Sequence, residues 1–481
     1  MKKTVKSPSV SDHPNKIGAL DAAGYMFGDL GNMLVLAYVT TFIKVFYTDT
    51  LLINAAKLVT LFLIVRLWDA LIDPLWGLII DSRKPGPDGK FRRYLKLIAI
   101  PLSVSAVLCF VNIRQLGITN DGIVLVYAYV SYTVFGTLYA AMNIPYGSLA
   151  SVITDDPQGR TLLSTFRSVG AGIGGAPITI ILPMVIYVNI EVNGERMQAF
   201  SGSRVLLCGV IVAAMAILAY FSCYKTTKER VKSPVVPPKT DIRVTYGSLA
   251  KSLPFITLTA ASVFMSGMVE FQSFYQYLFK GYFMQPKLVS LHTISNYLPM
   301  AIMILFTGKL TARFGKKELC SFGLGITVIA SLLIMIIRPE ENQLWLYLML
   351  CFVNGLGLSF LSIVIWAMVT DAIDYQKYMN GRNDESSIYA VYSFARKIGQ
   401  TIASSGGMAL LAWAGYDGAN IIQKAGVGDR ILTMCTVVPF LSYTLMFILI
   451  LAYPLNKRKL SELHSALSQR RAEAAAIDAD E

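Results

Sequence analysis

The sequence predicts an all-α integral membrane protein with twelve transmembrane helices. Of its 481 residues, 54% are hydrophobic and only 15% are charged, whereas soluble globular domains are about 45–50% apolar. Apolar stretches long enough to cross a bilayer, which takes about 20 residues, recur along nearly the whole chain. Six of them precede a polar linker and six follow it, which indicates two six-helix halves. The predicted helices lie at residues 22–47, 55–80, 94–113, 121–150, 162–188, 204–223, 252–279, 288–311, 318–337, 344–370, 388–414 and 431–454.

These helices divide the chain into five regions. An N-terminal tail (1–21), the first half (22–223), a linker (224–249), the second half (250–454) and a C-terminal tail (455–481) follow one another. The net charge of +13 comes from Lys and Arg residues in alternate short loops, which is the distribution of cytoplasmic loops and not of a nucleic-acid surface. We therefore expect a multi-pass protein of the cell inner membrane, a monomer in the lipid bilayer with both termini cytoplasmic.

Catalytic and metal-binding patterns are absent from the sequence. The six cysteines are scattered without a C-x-x-C pair, and there are only three histidines, so neither a disulfide framework nor a metal site is indicated. The sequence also lacks a nucleophile beside a histidine and a nucleotide-binding loop. We expect no enzymatic activity and no cofactor.

The second predicted helix contains charged residues within a segment that is expected to cross the membrane. Arg66, Asp69 and Asp73 lie at spacings of three and four and so share one helix face. A charge in hydrocarbon costs about 3 kcal/mol even on the most lenient scale, and two carboxylates with one guanidinium leave a negative charge uncompensated. A bound cation or a proton on one acid relieves that charge. The alternative is an ion-pair cluster that holds helices together.

Polar side chains in the fourth and fifth predicted helices suit a sugar. Tyr139, Asn143 and Tyr146 share a face in the fourth helix, near Pro145. Arg167 lies within the fifth helix and is either a substrate ligand or a partner for the acids of the second helix.

Two predicted helices of the second half also contain polar groups. Lys397 and Gln400 lie on one face of the eleventh helix, which we expect to contact water or substrate. Glu270, in the seventh helix, is either a further acid of the transport pathway or a partner for a basic group.

Together these motifs resemble the glycoside-pentoside-hexuronide:cation symporter family of the major facilitator superfamily, whose fold has twelve helices in two halves. The resemblance covers nearly the whole chain. The matching motifs are Gly28-Asp29-Leu30-Gly31-Asn32, Phe46-Tyr47-Thr48-Asp49, Arg66-x-x-Asp69-x-x-x-Asp73-Pro74-x-x-Gly77, Asn143-Ile-Pro145-Tyr146-Gly147, Arg160, Arg167, Asp371-Ala-Ile-Asp374-Tyr375 and Arg396-Lys397-x-Gly399.

The resemblance implies a role for each of these groups. Asp69 and Asp73 are the implied cation-site carboxylates, with H⁺ or Na⁺ as the coupling ion. The first, fourth, fifth and eleventh helices supply the sugar contacts, which include Asp29 and Asn32. Apart from the resemblance, the hypothesis of alternating access between the two halves assigns gating or structural roles to Arg66, Asp81, Arg83, Arg160, Glu270, Arg313, Asp371 and Asp374.

Departures from the melibiose permease pattern of this family bear on the ion and on the sugar. Ile72 replaces an amide ligand and Ala140 replaces a hydroxyl; Na⁺ needs several oxygen ligands, so their loss favours H⁺. Asn143 replaces a sugar-binding acid, and Met33 falls near the position of another. Basic groups at the site then lack acidic neighbours, which favours an acidic sugar such as a hexuronide or a sulfonated hexose.

The resulting hypothesis is a secondary transporter that imports a sugar or glycoside by cation symport through alternating access. A neutral pentoside or hexoside symporter that uses Na⁺ is the nearest alternative. A membrane sugar sensor that binds but does not transport is another, and lipid transport is disfavoured by the polar eleventh helix.

Overall fold

The described residues fold mainly into α-helices, and 83% of the structure is helical. In this computed structural model an α-helix occupies most of each of the twelve predicted segments. The apolar residues of each segment form its backbone hydrogen bonds internally, as a chain in lipid must. The structure describes residues 18–83, 86–154, 156–192, 194–231, 249, 252–380, 385–463, 465–466 and 469.

The helix ends follow from local sequence. Asn120 accepts hydrogen bonds from the backbone of Gly122 and begins the fourth long helix, and Gly315, with φ of 104°, separates two consecutive helices without a longer loop. The α-helices are α1 (Ala19–Val45), α2 (Ala55–Ser82), α3 (Arg92–Leu108), α4 (Asp121–Ile153), α5 (Pro157–Ile180), α6 (Leu182–Ile186), α7 (Gly202–Thr226), α8 (Leu253–Phe271), α9 (Tyr275–Gly281), α10 (Val289–Phe314), α11 (Lys316–Ile337), α12 (Leu344–Asn380), α13 (Glu385–Ala414) and α14 (Val427–Ala452).

Nine helices in the described part of the chain are long and apolar enough to span a membrane. The predicted segments outside this set are α2, α3 and α13. Arg66, Asp69 and Asp73 lie within the apolar stretch of α2, and α3 has only 17 residues. Many residues of α13 are polar or small. The exact number of membrane crossings therefore stays a prediction.

The outer surface of the helices is apolar. Leu305, Trp345 and Leu218 are 74%, 75% and 69% exposed, and many other large hydrophobic side chains are exposed on the long helices. In water such a surface would drive association. It is the surface expected of helices that face lipid.

The described residues pack as two compact units, which we call the first and second unit. The first unit contains Met1–Ile43, Trp68–Leu182 and Gly202–Pro237; within it, α3 packs against α4 and α7. Two of the boundaries between these units fall within α1 and α2.

The second unit contains Lys44–Leu67, Pro183–Ser201 and Pro238–Glu481. Within it, α8 packs against α13 and α14, and α12 packs against α10 and α11. The predicted division of the chain into consecutive halves stays a prediction.

The structure differs from the sequence prediction most clearly after α5 and at the end of α1. The fifth predicted helix was expected to reach residue 188, but α5 ends at Ile180, α6 follows, and an antiparallel hairpin of β1 (Tyr187–Val192) and β2 (Glu195–Phe200) begins at 187. Pro177 and Pro183 weaken the backbone bonding where the helix is interrupted. In addition, α1 continues into a π-helix at Phe46–Thr50.

Candidate substrate and cation sites

The first unit places Asp29 of α1 beside Arg167 of α5. Arg167 Nε lies 3.4 Å from Asp29 Oδ1, and its guanidinium carbon lies 5.5 Å from the centre of the Tyr146 ring. The two helices come this close because α5 has glycine where they meet. A Cβ on Gly170 or Gly174 would lie only 2.3 or 2.6 Å from a carbonyl oxygen of α1.

Further polar contacts join α1 to α4 and α7 in the same unit. Asn32 donates to Asn143 Oδ1 at 3.4 Å and accepts from the Tyr220 hydroxyl at 2.9 Å. Tyr146 donates to the backbone oxygen of Tyr25 at 2.8 Å, and the two rings stack at 4.6 Å. Four of the predicted substrate residues of α1 and α4 therefore contribute to one polar cluster with Arg167, namely Asp29, Asn32, Asn143 and Tyr146.

One premise of the sequence analysis was wrong for Arg167. That residue was expected to lack an acidic neighbour, but Asp29 pairs with it. The acid was expected near Met33, which lies one helical turn after Asp29 on α1. The pairing partner of Arg167 is thus an acid of the first helix and not one of the α2 carboxylates.

The predicted cation-site acids lie on α2 in the first unit. Asp69 and Asp73 are both half-buried. Gly136 of α4 is close to the first of them, since a Cβ at this position would lie 2.4 Å from Asp69 Oδ1. Tyr139 follows one turn later on α4, with its ring 6.2 Å from that of Phe135.

The remaining predicted substrate residues belong to the second unit. Lys397 and Gln400 are half-buried on α13. This helix packs tightly against α8, because a Cβ on Gly399 would lie 2.1 Å from the carbonyl oxygen of Val263. The two side chains are thus held on a helix whose position is fixed by close backbone contact.

Glu270 pairs with two basic residues in the second unit, which favours the second of the two roles predicted for it. Lys44 Nζ lies 2.7 Å from Glu270 Oε1, and Arg66 lies 3.0 Å from Oε2. Lys44 also donates to Ser273 Oγ at 2.9 Å, and its ammonium is 5.3 Å from the ring centre of Phe274. We call Lys44, Arg66, Glu270 and Ser273 the Glu270 cluster.

The sequence analysis missed a second buried ion pair in this unit. Lys280 donates to Asp49 Oδ2 at 2.5 Å and to the Tyr416 hydroxyl at 3.0 Å, and Tyr416 donates to Asp49 Oδ1 at 2.8 Å. A charge is costly inside a membrane, and Lys44 and Lys280 lie close to the ends of predicted helices. Their position is the sequence signal that could have revealed both ion pairs. We call Asp49, Lys280 and Tyr416 the Asp49 cluster.

Outside the Glu270 cluster, Asp371 is a predicted gate residue that pairs with a basic residue. Both oxygens of buried Asp371 accept from Lys316 Nζ at 2.7 Å. Arg160 donates from Nε to the backbone oxygen of Thr154 at 3.1 Å. Of the other gate residues, Arg83 and Arg313 are exposed, Asp374 is half-buried, and the side chain of Asp81 lies outside the described residues.

These features define a class of protein. Long helices with apolar outer surfaces carry buried charges, amides and tyrosines on their inner faces, and the described residues contain no group of three or more His, Cys, Asp or Glu arranged to hold a metal. This is the architecture of a polytopic membrane transporter.

The chain belongs to the MFS/sugar transport protein family, whose profile matches residues 24–457. This confirms the predicted membership of the glycoside-pentoside-hexuronide:cation symporter type. The chain is 29% identical to the isoprimeverose transporter of Lactiplantibacillus pentosus, over 97% of this chain and 95% of that protein. It is also 29% identical to the glucuronide carrier protein homolog of Escherichia coli (strain K12), over 93% and 95%.

Solved structures agree with the fold. The crystal structure of the nucleoside transporter NupG superposes with a TM-score of 0.59 at 12% identity, over 91% of this chain and 100% of that one. At this identity the likeness shows the fold alone. The predicted major facilitator fold is thereby confirmed.

Proposed function

We propose that the protein imports an acidic sugar or glycoside together with a cation, with H⁺ favoured over Na⁺. The observation that carries the proposal is the cluster of Asp29, Asn32, Asn143, Tyr146 and Arg167. Amides and an aromatic face are the groups that bind sugar hydroxyls and ring faces, and a guanidinium binds carboxylate or sulfonate with two parallel hydrogen bonds.

The acidic character of the substrate rests on Arg167. Its side chain is 42% exposed whereas that of Asp29 is 5% exposed, and the pair is made through Nε at a long 3.4 Å. The terminal nitrogens are therefore the part of the side chain suited to a second anion. A relative named for glucuronide, which carries a carboxylate, is consistent with this substrate class.

Asp69 and Asp73 are the proposed cation site. A proton needs only a carboxylate, whereas Na⁺ needs several oxygen ligands. Ile72, next to Asp73, and Ala140, one turn after Gly136, offer no side-chain oxygen. Transport follows by alternating access once the cation and the sugar are both bound.

The location of the protein is part of the same proposal. The basic loops 83–93 and 313–317 and the basic residues 457–459 favour an inner-membrane protein with both termini in the cytoplasm. We propose that it acts as a monomer.

A neutral glycoside carried with Na⁺ is the second candidate. It is favoured by the Asp29–Arg167 pair, because an arginine that already has a counter-charge does not require an anionic ligand. The relative named for isoprimeverose, which has no ionised group, is consistent with this alternative.

The experiment that separates these candidates measures external pH in de-energised right-side-out vesicles. A glucuronide, a sulfonated hexose and neutral glycosides are added in turn, with and without Na⁺. Alkalinisation on adding an acidic sugar, lost in Asp69→Asn and kept in the surface control Arg114→Gln, is the expected result. Arg114 pairs with Asp121, which is 70% exposed, and so lies away from the proposed sites.

Other outcomes contradict parts of the proposal. Alkalinisation that persists in Asp69→Asn removes Asp69 from the cation site. A response that appears only with Na⁺ and a neutral glycoside selects the second candidate. Sugar binding without any exchange across the membrane would identify a sensor.

A further inference from the structure

The second unit contains a groove of about 780 Å³, formed by elements other than the one that holds its predicted substrate residues. The end of α10, the start of α11 and a stretch of α12 form part of its wall, and a short helical segment at 457–463, which follows α14, forms the rest. Gly308 and Ile363 line it from α10 and α12, and Lys457 and Ser461 line it from the segment. The groove lies wholly within this unit.

Two of the lining residues are lysines. Lys316 is the first residue of α11 and donates to both oxygens of Asp371 at 2.7 Å. Lys457 Nζ donates to the backbone oxygen of Arg313 at 2.8 Å. Because an ammonium group has three N–H donors and a serine hydroxyl has one, both lysines and Ser461 can donate to a further ligand. These donors suit an anion that has several acceptor oxygens.

The charges on the same segments favour an anion. Residues 305–318, 363–374 and 455–465 include all the residues that line the groove. Their basic residues are Lys309, Arg313, Lys316, Lys317, Lys457, Arg458 and Lys459, and their acidic residues are Glu318, Asp371, Asp374 and Glu462. Asp371 is already compensated by Lys316. The segments therefore carry a net positive charge beside the groove.

Exposed apolar side chains adjoin these basic residues. Leu305 and Phe306 lie directly before Gly308 on α10, and Trp366 lies directly before Ala367 on α12. All three large side chains are exposed, whereas Gly308 and Ala367 line the groove. They belong to the apolar outer surface that is expected to face lipid. Basic pockets between helices at the edge of such a surface are places where the headgroups of anionic lipids bind.

We propose that this groove binds one anionic phospholipid. The phosphate accepts hydrogen bonds from Lys457 and Ser461, and Lys316 adds positive charge. The acyl chains extend along the exposed apolar side chains Leu305 and Phe306. Binding at this groove requires neither the proposed sugar nor the proposed coupling cation, so it can be tested separately from transport.

The test counts the lipids bound to the full-length protein by native mass spectrometry in an uncharged detergent. Phosphatidylglycerol, which is anionic, and phosphatidylethanolamine, which has no net charge, are titrated separately. We expect one phosphatidylglycerol to bind with a Kd at least about 10-fold lower than that of phosphatidylethanolamine. Lys457→Gln should raise the Kd for phosphatidylglycerol by about 10-fold or more, which is the usual contribution of a hydrogen bond to a charged group. Lys459→Gln is the matched control on the same exposed segment and should change it less than two-fold.

A second variant fills the groove without changing its charge. A Cβ on Gly308 would meet no atom within 4 Å, and leucine is a better helix former than glycine. Gly308→Leu should therefore remain folded and weaken phosphatidylglycerol binding to the same degree as Lys457→Gln. Gly406→Leu, on α13 and also with no atom within 4 Å of the new Cβ, is its control and should bind the lipid as wild type does.

Three results would overturn the inference. The first is equal affinity for the two lipids, and the second is a Kd that neither Lys457→Gln nor Gly308→Leu changes. The third is equal weakening by Lys459→Gln, which would show diffuse attraction to the basic segment instead of binding in the groove. Glycerol 1-phosphate is added as a competitor. Displacement of the lipid by an equal concentration of this headgroup fragment would identify a free phosphate ester as the ligand and exclude a lipid site.

Discussion

Replacement of Asp49 by Asn is expected to destabilise the protein strongly. Lys280 is 6% exposed and Asp49 is 4% exposed, with 2.5 Å between the charged atoms. At an effective dielectric constant of about 20, the Coulomb attraction at this distance is about 7 kcal/mol. Removal of both ions from water costs several kcal/mol each, so the intact pair contributes little net stability.

The variant leaves the buried Lys280 ammonium with the Tyr416 hydroxyl and an amide but without a counter-ion. The expected loss is therefore that of a broken buried pair, about 3–5 kcal/mol. Asp49→Asn/Lys280→Met removes both charges and should recover most of it. Asp429→Asn is the matched control, because its pair with Arg338 is 3.8 Å long and 69% exposed at the acid, and such pairs contribute about 0–1 kcal/mol.

The cysteines supply the assay. All six are buried, so a thiol-reactive fluorophore reports unfolding in detergent as the temperature rises. A melting curve for Asp49→Asn that matches wild type would refute the reasoning. A double variant less stable than the single one would show that hydrogen bonding to Lys280, and not charge compensation, stabilises the cluster.

Two other predictions follow from contacts described by the structure. Gly399→Ala should lower the melting temperature and the rate of uptake, because the new Cβ would lie 2.1 Å from the Val263 carbonyl oxygen. Gly406→Ala on the same helix is the control and should behave as wild type, because a Cβ there would meet no atom within 4 Å. In the loop between α2 and α3, the hydrogen bond donated by the Tyr224 hydroxyl at 2.6 Å holds the pKa of Asp88 below its usual range. A depressed carboxyl pKa stabilises the folded state above the ordinary carboxyl pKa and loses that effect as the pH falls through the lowered value. Tyr224→Phe should therefore melt below wild type at neutral pH, with a difference that disappears in acid; a difference that stays constant with pH would exclude this bond as its cause.

The helices could be predicted from the sequence because a lipid-exposed segment must be both apolar and internally hydrogen-bonded. The hairpin at Tyr187–Phe200 could not, because its first strand continues the apolar run of α5 and its second resembles a polar loop. Only the backbone pairing, such as Tyr187 opposite Phe200, distinguishes it.

The sequence predicted which residues belong to the candidate site better than it predicted which of them pair with each other. Arg167 and Asp29 each stand out as charges within apolar helices, but their contact depends on how α1 and α5 approach, which a single sequence does not specify. Lys44 and Lys280 were overlooked because a lysine at a helix end can extend its ammonium to the membrane surface. Here both ammonium groups are buried instead.

Because of the π-helix at Phe46–Thr50, the positions of the side chains on either side of it depend on the number of residues in this turn as much as on their identity. Lys44 and Asp49 both reach the α8–α9 segment, through Glu270 and Lys280. In a regular α-helix, side chains five positions apart diverge by about 140°, so the wider turn is what lets both face the same way. Deleting one residue from this turn would restore regular helical bonding and rotate Asp49 away from Lys280. Related chains should therefore tolerate substitutions here more readily than insertions or deletions.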